Sequence, residues 1–198
     1  DHLAASLPYV YDPEGVPSGL WQTSNIVKRD DGCHYLMANI SAYPEIASDP
    51  PRQWSCLLRT DDLADPTSWR YWDGVGFDGE FVDPYLESVD GARVCPPIAR
   101  PQIGAELVET IVWDEALGQY VAMGMTNDPA VGGVWGVYYS LSDDLITWSG
   151  RRLLIELPMS PSVDDENNDL RYAYPAIIDP DSESRNFDTS DGEAYVYI

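Results

Sequence analysis

The sequence predicts an all-β fold built from about three copies of an antiparallel sheet, and four observations support this. Short apolar runs at residues 33–40, 120–125 and 134–140 are bounded by Gly, Asp, Asn or Pro, as β-strands are. No segment sustains the i, i+3, i+4, i+7 apolar spacing of a helix. A third observation is an internal repeat. Aromatic residues at 12%, with 15 Gly and 16 Pro, fit an all-β chain with many turns.

The internal repeat is the strongest organising signal. Each copy contains a strand, an acidic turn and a second strand that carries a tyrosine. The copies begin at Ser24, Glu109 and Pro175, and the first two lie 85 residues apart. A second motif keeps nearly the same offset, 82 residues from Thr60 to Ser142. Two independent features that keep the same order and nearly the same spacing indicate a true repeat.

The second motif is a Ser or Thr followed by two aspartates and, further on, a tryptophan. Thr60 and Ser142 with their aspartates predict an Asx or ST turn at the end of a third strand. The chain then returns, and we expect Trp69 and Trp148 to pack between neighbouring sheets.

A four-stranded antiparallel sheet repeated in this way is the blade of a β-propeller. An apolar strand at the last residues predicts that the third copy is incomplete and that the chain is a fragment. The predicted units are blade one at about 18–72, an insertion at 73–104, blade two at about 105–157, a polar linker at 158–170, and blade three from about 171.

Two stretches carry a family resemblance. Residues 138–148 are similar to the S-x-D-L-x-x-W strand end of glycoside hydrolases of families 43 and 32, here running from Ser142 to Trp148. Residues 172–180, with 186–187 and 195–197, resemble an inner and a second strand of a later blade. With the first copy, the resemblance to five-bladed glycosidase-like propellers covers about residues 18–198.

The resemblance implies a carbohydrate-active protein that hydrolyses glycosidic bonds in an oligo- or polysaccharide. Such enzymes place carboxylates on the innermost strands, one acting as base or nucleophile and one as acid. In the family, an Asp-Pro motif on the first inner strand supplies the base. The matching residues 21–26 contain no carboxylate. A non-catalytic glycan-binding propeller and a structural or interaction propeller are therefore the alternatives.

Glu109 is the candidate catalytic residue, because it stands beside apolar residues on the predicted inner strand of blade two. A carboxylate among apolar residues is costly unless it is paired or used. The alternative interpretation is a glutamate at a solvated strand end. If Glu109 is active, it acts either as an acid or as a group that shifts the pKa of another catalytic residue.

Further residues are candidates for substrate binding, because sugar sites use aromatic faces for stacking and polar groups for hydroxyl hydrogen bonds. Each has a structural alternative in packing or in contacts between blades. Asp179 equally fits an acidic turn, and Asp128 falls in a predicted hairpin loop. The candidates are Trp21, Asn25, Arg171, Tyr174, Asp128 and Asp179.

The charge is strongly negative, with 34 acidic against 11 basic residues and a formal net charge of -23. Such a field repels nucleic acid and anionic membranes, so neither is expected as a partner. Solubility in a salty or extracellular setting is favoured over a cation-binding purpose. The acidic residues 164–169 offer oxygen ligands for Ca²⁺ but lack EF-hand spacing, so we expect a solvated loop and no cofactor. No His or Cys spacing predicts a metal site.

The three cysteines, Cys33, Cys56 and Cys95, leave at least one thiol without a partner in the chain. If residues 34–40 and 54–60 form a hairpin, Ala38 faces Cys56, which puts Cys33 too far away for a disulfide. Buried free cysteines are the expectation. The first residues do not read as a signal peptide, and a secreted or extracellular location is favoured over a cytoplasmic one.

Overall fold

The computed structural model describes residues 3–10, 19–41, 53–98, 108–128, 132–157 and 172–198. These residues form an all-β structure of curled antiparallel sheets without an α-helix, which confirms the predicted class. A single turn of 3-10 helix, Pro66–Ser68, occurs among them. The described part of the chain contains no helix with the length and apolarity that a membrane crossing requires.

Sheet one is an antiparallel meander in which the first strand is interrupted. Both parts of that strand, β1 and β2, pair with β3, and the order is β1-β3-β4-β5. The strands are β1 (Gly19–Thr23), β2 (Val27–Lys28), β3 (His34–Ser41), β4 (Gln53–Thr60) and β5 (Arg70–Tyr71).

Sheet two repeats the meander with β6 (Thr110–Asp114), β7 (Gln119–Asp128), β8 (Val134–Ser142) and β9 (Arg152–Glu156). Sheet three has two antiparallel strands, β10 (Ala176–Ile178) and β12 (Tyr195–Tyr197). Between them, β11 (Thr189–Ser190) reaches back and pairs in parallel with β6. The edge of β6 is therefore covered by the connection within sheet three.

An apolar core lies between sheets one and two because strand side chains alternate between faces. Tyr35, Met37 and Leu57 face sheet two, whereas Ala38 and Cys56 face the opposite way. Full burial of a side chain of this size stabilises the fold by about 1.5–3 kcal/mol. The buried residues of this core are Val27, Tyr35, Met37, Leu57, Ile98, Val108, Ile111, Tyr120, Ala122, Leu145 and Trp148.

The two repeated tryptophans occupy different environments. Trp148 lies in the core between sheets one and two, as expected. Trp69 lies on the other face of sheet one, where residues from the N-terminal segment and the insertion, among them Leu7 and Val94, cover it. A further core joins sheets two and three, with Val112, Met123, Met125, Val137 and Ile177.

The predicted turns at the ends of the third strands are confirmed. The Oγ of Ser142 accepts hydrogen bonds from the backbone N–H groups of Asp144 and Leu145, at 3.2 and 2.9 Å. Oδ1 of Asp144 accepts from Ile146 N at 2.8 Å. In sheet one, Thr60 Oγ1 likewise accepts from the second aspartate of its pair at 3.0 Å. Hydrogen bonds to these short polar side chains take the place of the hydrogen bonds between strands, which end at these positions.

The expectation of free buried cysteines is wrong for two of the three. The predicted hairpin register is confirmed, since Ala38 pairs with Cys56. Cys56, however, forms a disulfide with Cys95, with a Cα–Cα distance of 6.0 Å, while Cys33 is free and half-buried. The insertion folds back over sheet one and brings Cys95 to β4. Trp54 Nε1 donates to the Cys95 carbonyl at 2.8 Å and holds this approach.

Candidate functional site

The candidate site lies where the first strand of sheet one meets the part of the β6 edge that β11 does not pair with. An edge strand carries backbone groups that need partners. The Asn25 side chain, which lies in the gap between β1 and β2, supplies hydrogen-bond partners for two such backbone groups. Its Oδ1 accepts from Ile111 N at 2.8 Å, and its Nδ2 donates to Ile111 O at 2.9 Å. Nδ2 also lies 3.1 Å from the carbonyl oxygen of Phe187.

A second asparagine binds the neighbouring backbone in the same way. Asn39, on β3, is only 2% exposed. Its Nδ2 donates to Val108 O at 3.1 Å, and its Oδ1 accepts from Val108 N at 3.2 Å and from Ser55 Oγ at 2.6 Å. We call Gln22, Asn25, Asn39 and the backbone of residues 108–111 the polar seam. Asn39 was not predicted, although a polar residue inside an apolar strand signals a buried hydrogen-bonded group.

Glu109 lies in the polar seam directly before β6 and is half-buried. Its Oε1 accepts a hydrogen bond from Gln22 Nε2 at 2.9 Å, and its Oε2 accepts from Met125 N at 3.1 Å. One carboxylate therefore connects β1 of sheet one with β7 of sheet two. Gln22 was not predicted as a site residue, because its partner lies 87 residues further along the chain.

Burial raises the pKa of Glu109 above its ordinary value, and the hydrogen bonds from Gln22 and Met125 only partly offset the effect. Asp144 shows the opposite balance. Its partial burial would raise its pKa, but hydrogen bonds from Thr147, Ile146 and Ser142 outweigh burial and lower it. A carboxyl group with a raised pKa keeps its proton closer to neutral pH, which is what a general acid needs.

The predicted substrate-binding residues do not share one environment. Trp21 lies at a β-bulge of β1, between Leu20 and Gln22. Tyr174 is exposed and has a positive φ of 58°. Arg171 lies outside the described residues. Asn25 uses its amide in the polar seam, so a ligand would have to compete with backbone groups for it.

The two candidate aspartates lie away from Glu109. Asp128 is the last residue of β7 and pairs with Val134, so the expected loop position is wrong: the strand extends three residues beyond the predicted run. Asp179 is buried and accepts from Asp181 N at 2.8 Å and from Asp191 N at 3.2 Å. These bonds fit the turn role that was its alternative.

Three surface cavities lined by described residues also lie away from Glu109. The smallest, of about 280 Å³, is lined by acidic and hydroxyl side chains around the sheet-three loop, among them Glu115, Asp181 and Ser184. Across the described ranges, no group of three or more His, Cys, Asp or Glu side chains is placed to hold a metal ion. The acidic residues 164–169 lie outside those ranges.

Comparison with protein families, with curated proteins and with solved structures found no match for this chain.

Proposed function

We propose that this chain is part of a carbohydrate-active β-propeller in which Glu109 donates a proton to a glycosidic oxygen. The observation that carries the proposal is the half-buried Glu109 carboxyl group at the junction of β1 and β6, where burial raises its pKa. General acids of glycosidases have this property, since a proton must be available for the leaving group.

The propeller part of the proposal is supported by how the sheets stack. Sheets one, two and three pack face to face through two apolar cores. Their first strands lie together: Asn25, between β1 and β2, bonds to β6, and β10 lies against β6. Blades of a propeller place their first strands around the central axis in this way. Glu109 would then face the axial end of the polar seam.

Hydrolysis by this route needs a second carboxyl group as base or nucleophile. Gln22, the residue that bonds to Glu109, is an amide and cannot take that role. We therefore assign the role of acid to Glu109. Among the described residues we assign no carboxyl group to the role of base or nucleophile.

A non-catalytic glycan-binding propeller is the second candidate, and the Gln22–Glu109 pair favours it. The pair offers a carboxyl group and an amide, both half-buried, and such groups bind sugar hydroxyls without chemistry. In this alternative the raised pKa of Glu109 only makes binding depend on pH.

A glycan array combined with product analysis distinguishes the two. Wild type, Glu109→Gln and, as a matched control, Glu156→Gln on the exposed strand β9 would be compared. Binding with products that disappear only in Glu109→Gln, a loss of about 10²–10⁴-fold, supports the hydrolase. Binding without products supports the second candidate. Absence of binding to every glycan contradicts both.

A further inference from the structure

Phe187 combines an unusual backbone conformation with an exposed aromatic side chain. It lies in the connection between β10 and β12, shortly before β11, and has a φ of 55°. A positive φ is uncommon for a bulky residue and calls for a reason. Leu145 has a similar φ of 67°, but its side chain is fully buried in the core between sheets one and two. The Phe187 side chain is 51% exposed, so core packing does not explain its conformation.

Hydrogen bonds to sheets one and two hold the backbone at Phe187. Its carbonyl oxygen accepts from Nδ2 of Asn25 at 3.1 Å. The next residue, Asp188, is buried. Oδ2 of Asp188 accepts from Lys28 N at 3.1 Å, and its backbone carbonyl accepts from Trp113 N at 2.8 Å. Residues that their surroundings hold in an uncommon conformation cluster at ligand sites, and here the conformation leaves half of an aromatic side chain exposed.

The backbone of Phe187 lies beside the polar seam. Nδ2 of Asn25 donates both to the carbonyl of Phe187 and to the carbonyl of Ile111. Ile111 is two residues beyond Glu109, a separation of about 7 Å along an extended strand. Phe187 and Glu109 are therefore near enough for one oligosaccharide to contact both.

We propose, on the basis of the proposed function, that the Phe187 ring is a stacking platform for a pyranose ring of the glycan that binds at the polar seam. The face of an aromatic ring is electron-rich and attracts the C–H groups of a sugar. A pyranose with equatorial hydroxyl groups presents such C–H groups on both of its faces. The ligand class is thus a β-1,4-linked oligosaccharide of the gluco or xylo configuration.

Net charge selects among glycans of this shape. The chain carries a formal charge of -23, so a sugar with carboxylate groups is repelled. Arg185, two residues before Phe187, is exposed, but it is one positive charge against that total. We therefore expect neutral oligosaccharides to bind more tightly than a glucuronate oligosaccharide with the same linkage.

Calorimetric titration with cellohexaose and xylohexaose tests the platform, and a β-1,4-linked glucuronate hexamer tests the charge preference. The main variant is Phe187→Gly, because glycine adopts a φ of 55° without strain and only the side chain is lost. It should weaken binding by about tenfold or more. Phe187→Tyr keeps an aromatic ring and should bind like wild type. The matched control is Tyr85→Ala, which removes an aromatic side chain that is 63% exposed on the insertion.

A measurement on the wild type does not depend on any variant folding. The chain has three phenylalanines, and the rings of Phe77 and Phe81 pack edge-on against other aromatic rings. With ¹³C-labelled phenylalanine rings, a bound neutral hexamer should shift the ring signals of Phe187 more than those of Phe77 and Phe81.

The outcomes separate the platform from the proposed function. Binding that Phe187→Gly weakens and Tyr85→Ala does not supports the platform, whether or not products form. Binding that is unchanged in Phe187→Gly, or that leaves the Phe187 signals unshifted, overturns the platform while the carbohydrate function stands. Failure of both neutral hexamers to bind overturns it too, and the glycan array then decides the carbohydrate function. Equal or tighter binding of the glucuronate hexamer overturns the neutral ligand class.

Discussion

Nε2 of Gln22 lies 2.9 Å from Oε1 of Glu109 and donates a hydrogen bond to it, joining the first strand of sheet one to the start of β6. The other carboxylate oxygen accepts from Met125 N. Glu109 is thus held at two points by neutral donors, and the effect of its burial on the pKa outweighs both hydrogen bonds. The balance between burial and these two bonds decides when Glu109 carries a proton.

Replacing Gln22 with glutamate should place a second carboxyl group beside Glu109. Two carboxylates at this distance cannot both ionise cheaply, so the pKa of Glu109 should rise further. Gln22→Glu should therefore lower the free energy of unfolding more at about pH 7.5 than at about pH 5. Urea unfolding at both values measures the difference. An equal loss at both values would show that the two side chains do not interact.

Glu109→Gln should change how stability depends on pH. Native Glu109 keeps its proton to a higher pH than the unfolded chain does, because burial raises its folded pKa. The native state thus binds more protons in that range, so the free energy of unfolding falls as pH rises through the raised pKa. The variant should lack this contribution, and its stability relative to wild type should rise over the same range.

Urea unfolding from about pH 4 to pH 8 measures this relative stability. Glu156→Gln, on the exposed strand β9, is the matched control, because it removes the same charge at an exposed position. If both variants give the same curve, the raised pKa of Glu109 is refuted.

Asn39→Ala should destabilise the protein more than Asn25→Ala. Asn39 is buried, and its loss leaves both backbone groups of Val108 without their partner away from water. Each such group costs about 1–3 kcal/mol. Asn25 is only half-buried, so water can replace part of its bonds to Ile111. Chemical denaturation of both variants gives the comparison, and a larger loss for Asn25→Ala would contradict it.

The disulfide between Cys56 and Cys95 should stabilise the fold by about 2–4 kcal/mol, because it closes a long loop in the unfolded chain. Cys56→Ala combined with Cys95→Ala, or reduction, should lower the free energy of unfolding by that amount. Cys33→Ser is the control, since Cys33 is free. Denaturation with and without reductant measures the effect. Unchanged stability after reduction would show that the bond does not form in solution.

Local features of this fold were predictable from the sequence. The apolar run at 33–40 corresponds to β3 (His34–Ser41), and the turn at Ser142 forms as its residue types require. Alternation and turn chemistry act over a few residues, so neighbours in the chain are enough to predict them. The register between β3 and β4 also agrees with the one predicted by pairing residues 34–40 with residues 54–60.

Contacts between distant segments could not be predicted in this way. The Cys56–Cys95 bond depends on how the insertion folds over sheet one, and the Gln22–Glu109 bond depends on how two sheets stack. Neither leaves a local pattern in the sequence. Glu109 is a candidate from the sequence because a carboxylate beside apolar residues is unusual, whereas its hydrogen-bond partner Gln22 has no such signal.

The most direct test of the central claim is the rate of glycan hydrolysis as a function of pH for wild type and Glu109→Gln. If Glu109 is the proton donor, wild-type product formation should fall as pH rises through the raised pKa of Glu109, and Glu109→Gln should lose about 10²–10⁴-fold in rate at every pH. A Glu109→Gln variant that releases products at the wild-type rate with the same pH profile would contradict it.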